Sequence, residues 1–145
     1  MSGLVRTSEA ATLALHATAI LAGSEGRPVT VADMADGLSA SEAHLAKVLQ
    51  RLTKAGIVTG TRGPGGGFTL TRPAGSVSLR KVYEAIEGKL GVERCMVGAP
   101  LCSKKECPLG SLFGRLSDDV LETLGATTLA DIELPLEQRR GTRST

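Results

Sequence analysis

Three cysteines are the side chains of this sequence best suited to chemistry. Cys95, Cys102 and Cys107 fall within 13 residues, spaced C-x6-C-x4-C and followed by Pro108. Structural zinc sites favour C-x2-C knuckles, and this spacing contains none. Wider spacing in an irregular segment with two prolines suits a larger cluster, whose irons take thiolates from several directions. Arg94, Lys104 and Lys105 flank the thiols and offset thiolate charge. The spacing therefore supports a metal or redox role; three unrelated thiols are the plain alternative. A thiol oxidoreductase would use a C-x2-C pair and a substrate-positioning acid/base set, and neither is found, so an enzyme is not expected.

The second group is basic. Between Ser41 and Lys81 lie seven basic side chains (Lys47, Arg51, Lys54, Arg62, Arg72, Arg80, Lys81) and one acid, Glu42. That is a local charge of +6 in a chain of net +2, which leaves −4 for the rest. Positive charge gathered on one segment matches a phosphate-bearing partner better than the modest total does. The glycine string at Arg62–Phe68, R-G-P-G-G-G-F, is not a nucleotide loop. No Lys-Ser or Lys-Thr pair follows it, and no strand-then-long-helix context surrounds it.

The elements that must position these groups follow from periodicity and caps. Thr7 or Ser8 caps a first helix running to about Ala22, ended by Gly23. Thr30, with Asp33 three residues on, opens a second. Ser41 opens a third, with Glu42 in its positive first turn. There Leu45, Val48, Leu49 and Leu52 form an inward stripe, and Gly56 closes the helix. Ile57–Thr59 and Phe68–Leu70 are strand-formers on either side of the glycine run. Helix, turn, helix and hairpin make a winged helix-turn-helix, a DNA-reading module. Ser78 caps a helix over Leu79–Glu87. A long helix from about Leu109 to Leu124 carries an apolar stripe, and Thr128 caps a last short helix to Leu134. The fold class is mainly α with a small β-hairpin wing.

On the third helix His44, Lys47 and Arg51 share the side opposite the stripe. Ser41, His44 and Lys47 are expected at base edges or phosphate, Arg51 at phosphate, and Arg62 with Gly63 at the minor groove. Solvated surface charge is the alternative for each alone. The divisions are 1–88 (DNA-binding), 89–108 (cysteine loop), 109–135 (long and terminal helices) and 136–145 (basic tail). The long helix either completes the monomer core or packs on a second copy. A homodimer is expected, with recognition helices about 34 Å apart, one turn of DNA. Aromatic content of 2% within 41% hydrophobic residues favours an aliphatic helical core. No apolar run approaches the ~20 residues of a membrane span. A cytoplasmic protein is expected, whose thiols stay reduced.

The ordering resembles the Rrf-two family of bacterial transcriptional regulators. The residues that carry the resemblance are the Ser41–Gly56 helix, R-G-P-G-G-G-F at Arg62–Phe68, the helix Leu79–Glu87, the three-cysteine loop, and T-L-A-D-I at Thr128–Ile132. It extends to about Pro135. It implies a homodimeric regulator that binds a double-stranded DNA operator. It also implies an iron–sulfur cluster (2Fe-2S or 4Fe-4S) on Cys95, Cys102 and Cys107, with DNA binding altered when the cluster is lost, oxidised or nitrosylated. Where some members place a histidine ligand three residues after the third cysteine, this chain has Gly110. Others use an acid of the partner's first helix; Glu9 is the candidate here, with water or a small thiol as the alternative. Glu9 also reads as a helix-start carboxylate facing the dipole, and His16, two turns on, as an ordinary surface or packed histidine. Zinc or heme in the same fold, a thiol switch without metal, and a winged helix that has left DNA for a protein partner are the rival readings.

Overall fold

A computed structural model of the chain describes residues 6–91, 107–134 and 136. Cys95, Cys102 and the basic tail beyond 136 lie outside the described residues.

Helix α1 (Glu9–Gly23) is the central post. The Ser8 hydroxyl caps it by accepting the Ala11 N–H at 3.0 Å. Ala11, Leu13, Ala14, Ala17, Thr18, Ala19, Ile20 and Leu21 are all buried, so this helix is apolar over most of its circumference. Small residues let α2, α3 and α4 pack against it. Among the described residues Thr18 is the one buried hydroxyl, and it donates to the Ala14 carbonyl at 2.8 Å. The helix ends at Gly23, within one residue of the sequence expectation, and Ser24 is its C-cap. The left-handed turn falls on Glu25 and Gly26.

Helix α2 (Val31–Leu38) is capped by Thr30, whose hydroxyl accepts the Asp33 N–H. Its exit passes through Ser39 in the left-handed region, and the Ala40 N–H returns to the Ala35 carbonyl. Helix α3 (Glu42–Lys54) starts at Ser41, which accepts the His44 N–H at 3.3 Å. Leu45, Val48, Leu49 and Leu52 are at most 2% exposed, as the stripe requires. Each such burial stabilises by about 1.5–3 kcal/mol.

The wing pairs β1 (Val58–Thr61) with β2 (Gly67–Leu70), antiparallel, with Val58 opposite Leu70 and Thr61 opposite Gly67. The first strand runs two residues nearer the tip than expected. Gly63-Pro64-Gly65-Gly66 closes the hairpin, with the Gly66 N–H on the Gly63 carbonyl at 2.9 Å. Pro64 followed by Gly65 at φ +73 is the type II turn pattern, which needs a residue free of Cβ at its third position. Val29 adds a single rung on the other edge of β2 by exchanging two backbone hydrogen bonds with Phe68. A Cβ on Gly67 would meet the Val29 backbone at 2.7 Å, so glycine there permits the rung. The wing is thereby tied to the residue that precedes the α2 cap.

Helix α4 (Leu79–Glu87) buries Val82 and Ile86. Helix α5 (Pro108–Ala126) packs on α4. Its N-cap is Cys107 and its first residue is Pro108, whose missing N–H costs a first turn nothing. The chain then returns to the winged unit. The Leu129 N–H donates to the Val77 carbonyl at 3.0 Å, and the Leu129 side chain is fully buried in the same core as α1 and α3. The last helix is shorter than expected, a single 3-10 turn over Leu129–Asp131. The Asp131 carboxylate takes the Thr128 N–H at 2.8 Å, and the Leu134 N–H goes to the Ala19 carbonyl of α1. A tertiary bond to α1 replaces the helical bond that Leu134 would make.

Candidate nucleic-acid interface and cysteine site

Each candidate side chain of the interface is set by α3 or the wing. Lys47 is exposed on the outer side of α3. Gln50 and Lys54 are exposed too, three and seven residues on, so they share that side. Gln50 is absent from the sequence-based set; its amide can donate and accept in the pattern that reads adenine, and its spacing from Lys47 was the available signal. The Ser41 hydroxyl spends an acceptor on the α3 cap and can still donate its own hydrogen. Arg62 and Gly63 are exposed at the hairpin end.

His44 and Arg51 do not point straight outward with Lys47. His44 is half-buried, its Nδ1 3.6 Å from the Glu9 carboxylate at the start of α1. The Arg51 guanidinium donates from Nη2 to the Ile86 carbonyl in the last turn of α4. A row at i, i+3, i+7 drifts around the helix, and its two ends turn to the flanking helices α1 and α4. The expectation of Arg51 as a free phosphate contact meets a guanidinium bonded inside the protein, because a helix C-terminus offers unpaired carbonyls and negative potential.

On the sulfur side, Cys107 is half-buried at the start of α5, and its Sγ accepts the Gly110 N–H at 3.4 Å. Gly110, three residues after Cys107, is buried within that helix. Glu9 is exposed at the start of α1. His16 is exposed, with Nδ1 2.7 Å from the Thr12 carbonyl, which it meets as a donor on its own helix. It rims an open apolar groove of about 400 Å³ lined also by Leu15, Ala19, Ile132, Glu133 and Leu134. Among the described residues no three His, Cys, Asp or Glu side chains converge as a metal site. Two of the three cysteines lie beyond those residues.

The segment carrying Cys95 starts from a firmly held root. The Leu90 N–H donates to Glu84 Oε1 at 3.0 Å, and Arg80 Nε meets the same oxygen at 3.1 Å. These bonds hold the Glu84 carboxyl below the usual carboxylate range: the Leu90 N–H leads, burial opposes, and Arg80 and Lys89 add to the lowering. The Ser8 hydroxyl bonds Glu87. Burial, and after it the nearby Glu87 charge, raises the pKa of the Tyr83 hydroxyl.

Finally, α5 presents a row of large apolar side chains to solvent. Leu109 is 61% exposed, and Leu112, Phe113, Leu116 and Val120 are exposed along the same helix. Such a contiguous patch on one helix marks an interaction surface. No helix among the described residues is long and apolar enough to cross a membrane.

Residues 7–133 match the family described as Rrf2, iron-dependent transcriptional regulator. The chain is 32% identical over 109 residues to the HTH-type transcriptional regulator IscR of Citrobacter koseri, covering 75% of this chain and 67% of that protein. IscR of Salmonella newport is equally similar, with 66% of its length covered, so the chain spans about two thirds of these relatives. Among solved structures, CymR, described as the global cysteine regulator of B. subtilis, aligns with a TM-score of 0.74 at 27% identity, over 88% of this chain and 95% of that one. The structure described as T. potens IscR aligns at 0.70 and 25% identity, over 88% and 85%.

Proposed function

This chain belongs to the Rrf2 family of transcriptional regulators, and from that premise we propose that two copies grip an operator duplex under the control of the cysteine segment. Support for the DNA contact comes from one arrangement: Lys47, Gln50 and Lys54 exposed along α3, beside a glycine-tipped wing ending in Arg62. Lys47 and Gln50 read base edges in the major groove, Ser41 and Lys54 hold phosphates, and Arg62 with Gly63 enters the minor groove. His44 borders the base-reading surface from the α1 side. The exposed apolar row of α5 pairs with its copy, which places two α3 helices on successive turns. Two half-sites must be met together, so a small rotation of one unit loses contacts on both.

The donors fit an iron–sulfur cluster, 2Fe-2S or 4Fe-4S. Cys107 offers a sulfur that already accepts an N–H bond at a helix start, a feature that stabilises cluster sulfur. Cys95 and Cys102 complete the thiolates, and Glu9 is an exposed carboxylate with one oxygen near His44 and the other left to serve a second chain. When bound, such a centre supplies sensitivity to redox state, nitric oxide or iron–sulfur status. The chain's own part is to hold Cys107 on α5, which packs on α4, and Glu9 on α1 beside His44 of α3. Isolation without oxygen tests this: iron and sulfide in fixed proportion with visible charge-transfer absorption support it, whereas a colourless, zinc-loaded or heme-loaded protein overturns it.

A second reading has the same regulator working through its thiols alone, without metal. The likeness to CymR as well as to IscR favours a reading in which the fold works without a cluster. Iron-free protein whose duplex affinity still changes on thiol oxidation would establish that reading instead.

A further inference from the structure

Arg51 is the basic residue of α3 whose bond lies inside the protein. We propose that it is a positioning residue that couples the recognition helix to the root of the cysteine segment, and not a phosphate contact. The inference rests on the reading that this segment controls duplex binding.

The last carbonyls of α4 have no partners within the helix. One of them, Ile86, receives the Arg51 guanidinium from the last turn of α3. A cation there also meets the negative end of the α4 dipole. Helix α4 closes immediately afterwards, at Gly88. The chain then folds back, with the Leu90 N–H on Glu84 and Arg80 on the same carboxylate. From the other side the Ser8 hydroxyl, the cap of α1, holds Glu87. Helices α1 and α3 therefore grip one turn of α4, which the fold-back at Leu90 also holds, and that turn is the covalent start of the segment bearing Cys95. Cys95 lies five residues beyond Leu90, a tether of at most about 18 Å. A pull on the cysteines reaches the α4 terminus, and Arg51 passes it to the end of α3. His44 on Glu9 sets the other end of α3, so a shift at Arg51 tilts the helix about its first turn.

A phosphate contact and a strut differ in what their removal changes. The test compares Arg51→Ala, Arg51→Lys and Lys47→Ala on a short random-sequence duplex, each with the cysteines intact and with all three changed to Ser. Lys47→Ala is expected to lower the slope of log affinity against log salt by about 1. Arg51→Ala is expected to leave that slope at the parent value, while the amides of Glu87–Leu90 exchange about tenfold faster. The parent's affinity ratio between cysteine-intact and cysteine-free protein is expected in the ordinary coupling range, about 5–150-fold. In Arg51→Ala it should fall to within about twofold of one, and Arg51→Lys, which keeps a donor, should restore part of it. A slope reduced by about 1 in Arg51→Ala, or a ratio kept at the parent value, overturns the proposal. If the parent ratio is itself one, the control reading fails, and slope and exchange still decide whether Arg51 holds α4 or phosphate.

Discussion

The Glu9 carboxylate lies 3.6 Å from Nδ1 of His44, so the first turn of α1 meets the first turn of the recognition helix. The acid that is the candidate fourth ligand is thus a neighbour of a candidate duplex-reading side chain. Glu9 can serve a second chain only by leaving His44, or by presenting its other oxygen.

That proximity separates two roles of Glu9. Its side chain is 78% exposed, so the pair contributes at most about 1 kcal/mol to folding. Glu9→Ala should leave the urea midpoint close to the parent's. It should also speed the bleaching of visible absorption in air. Unchanged bleaching would remove Glu9 from the ligand set.

The core assignment makes a stability prediction. Leu129 is fully buried, although α5 separates it in sequence from the winged unit. Leu129→Ala should cost roughly 2–5 kcal/mol, the usual range for a buried leucine, read as a lowered urea midpoint. A loss below about 1 kcal/mol would mean that the chain after α5 packs elsewhere.

Glu84 gives the pH dependence. Its folded pKa is depressed, chiefly by the Leu90 N–H. Its contribution is therefore present above the ordinary carboxylate range and is lost as pH falls through the depressed folded value. Glu84→Gln should be less stable than the parent at neutral pH. The gap should close under acid. A gap that widens on acidification would contradict the assignment.

The exposed row of α5 predicts assembly. Leu112→Asp with Leu116→Asp should convert a dimer into a monomer in sedimentation, with helical circular dichroism retained, because both side chains already face solvent in one chain. A parent that sediments as a monomer would leave the row without its proposed partner.

Much of this architecture is legible in the amino-acid string because its signals are local. Ser8, Thr30, Ser41 and Ser78 each cap the helix that their spacing announces. The α3 stripe needs only the 3.6-residue period, and the wing needs only its turn residues. The bond from Arg51 to Ile86 spans 35 positions and has no periodic signature. Nor does the placement of Glu9 beside His44, which depends on how α1 crosses α3. Cys107 caps α5 through a sulfur, outside the Ser, Thr, Asp and Asn set that marks helix starts in a sequence. The end of the chain departs from its helical pattern because the Leu134 N–H finds the Ala19 carbonyl.

The most direct measurement is duplex affinity, determined without oxygen, for the parent and for Cys107→Ser. Control by the cysteine segment predicts that the single substitution shifts the affinity at least about fivefold while the urea midpoint stays near the parent's. Superimposable binding curves from an iron-loaded parent and an iron-free variant would contradict it.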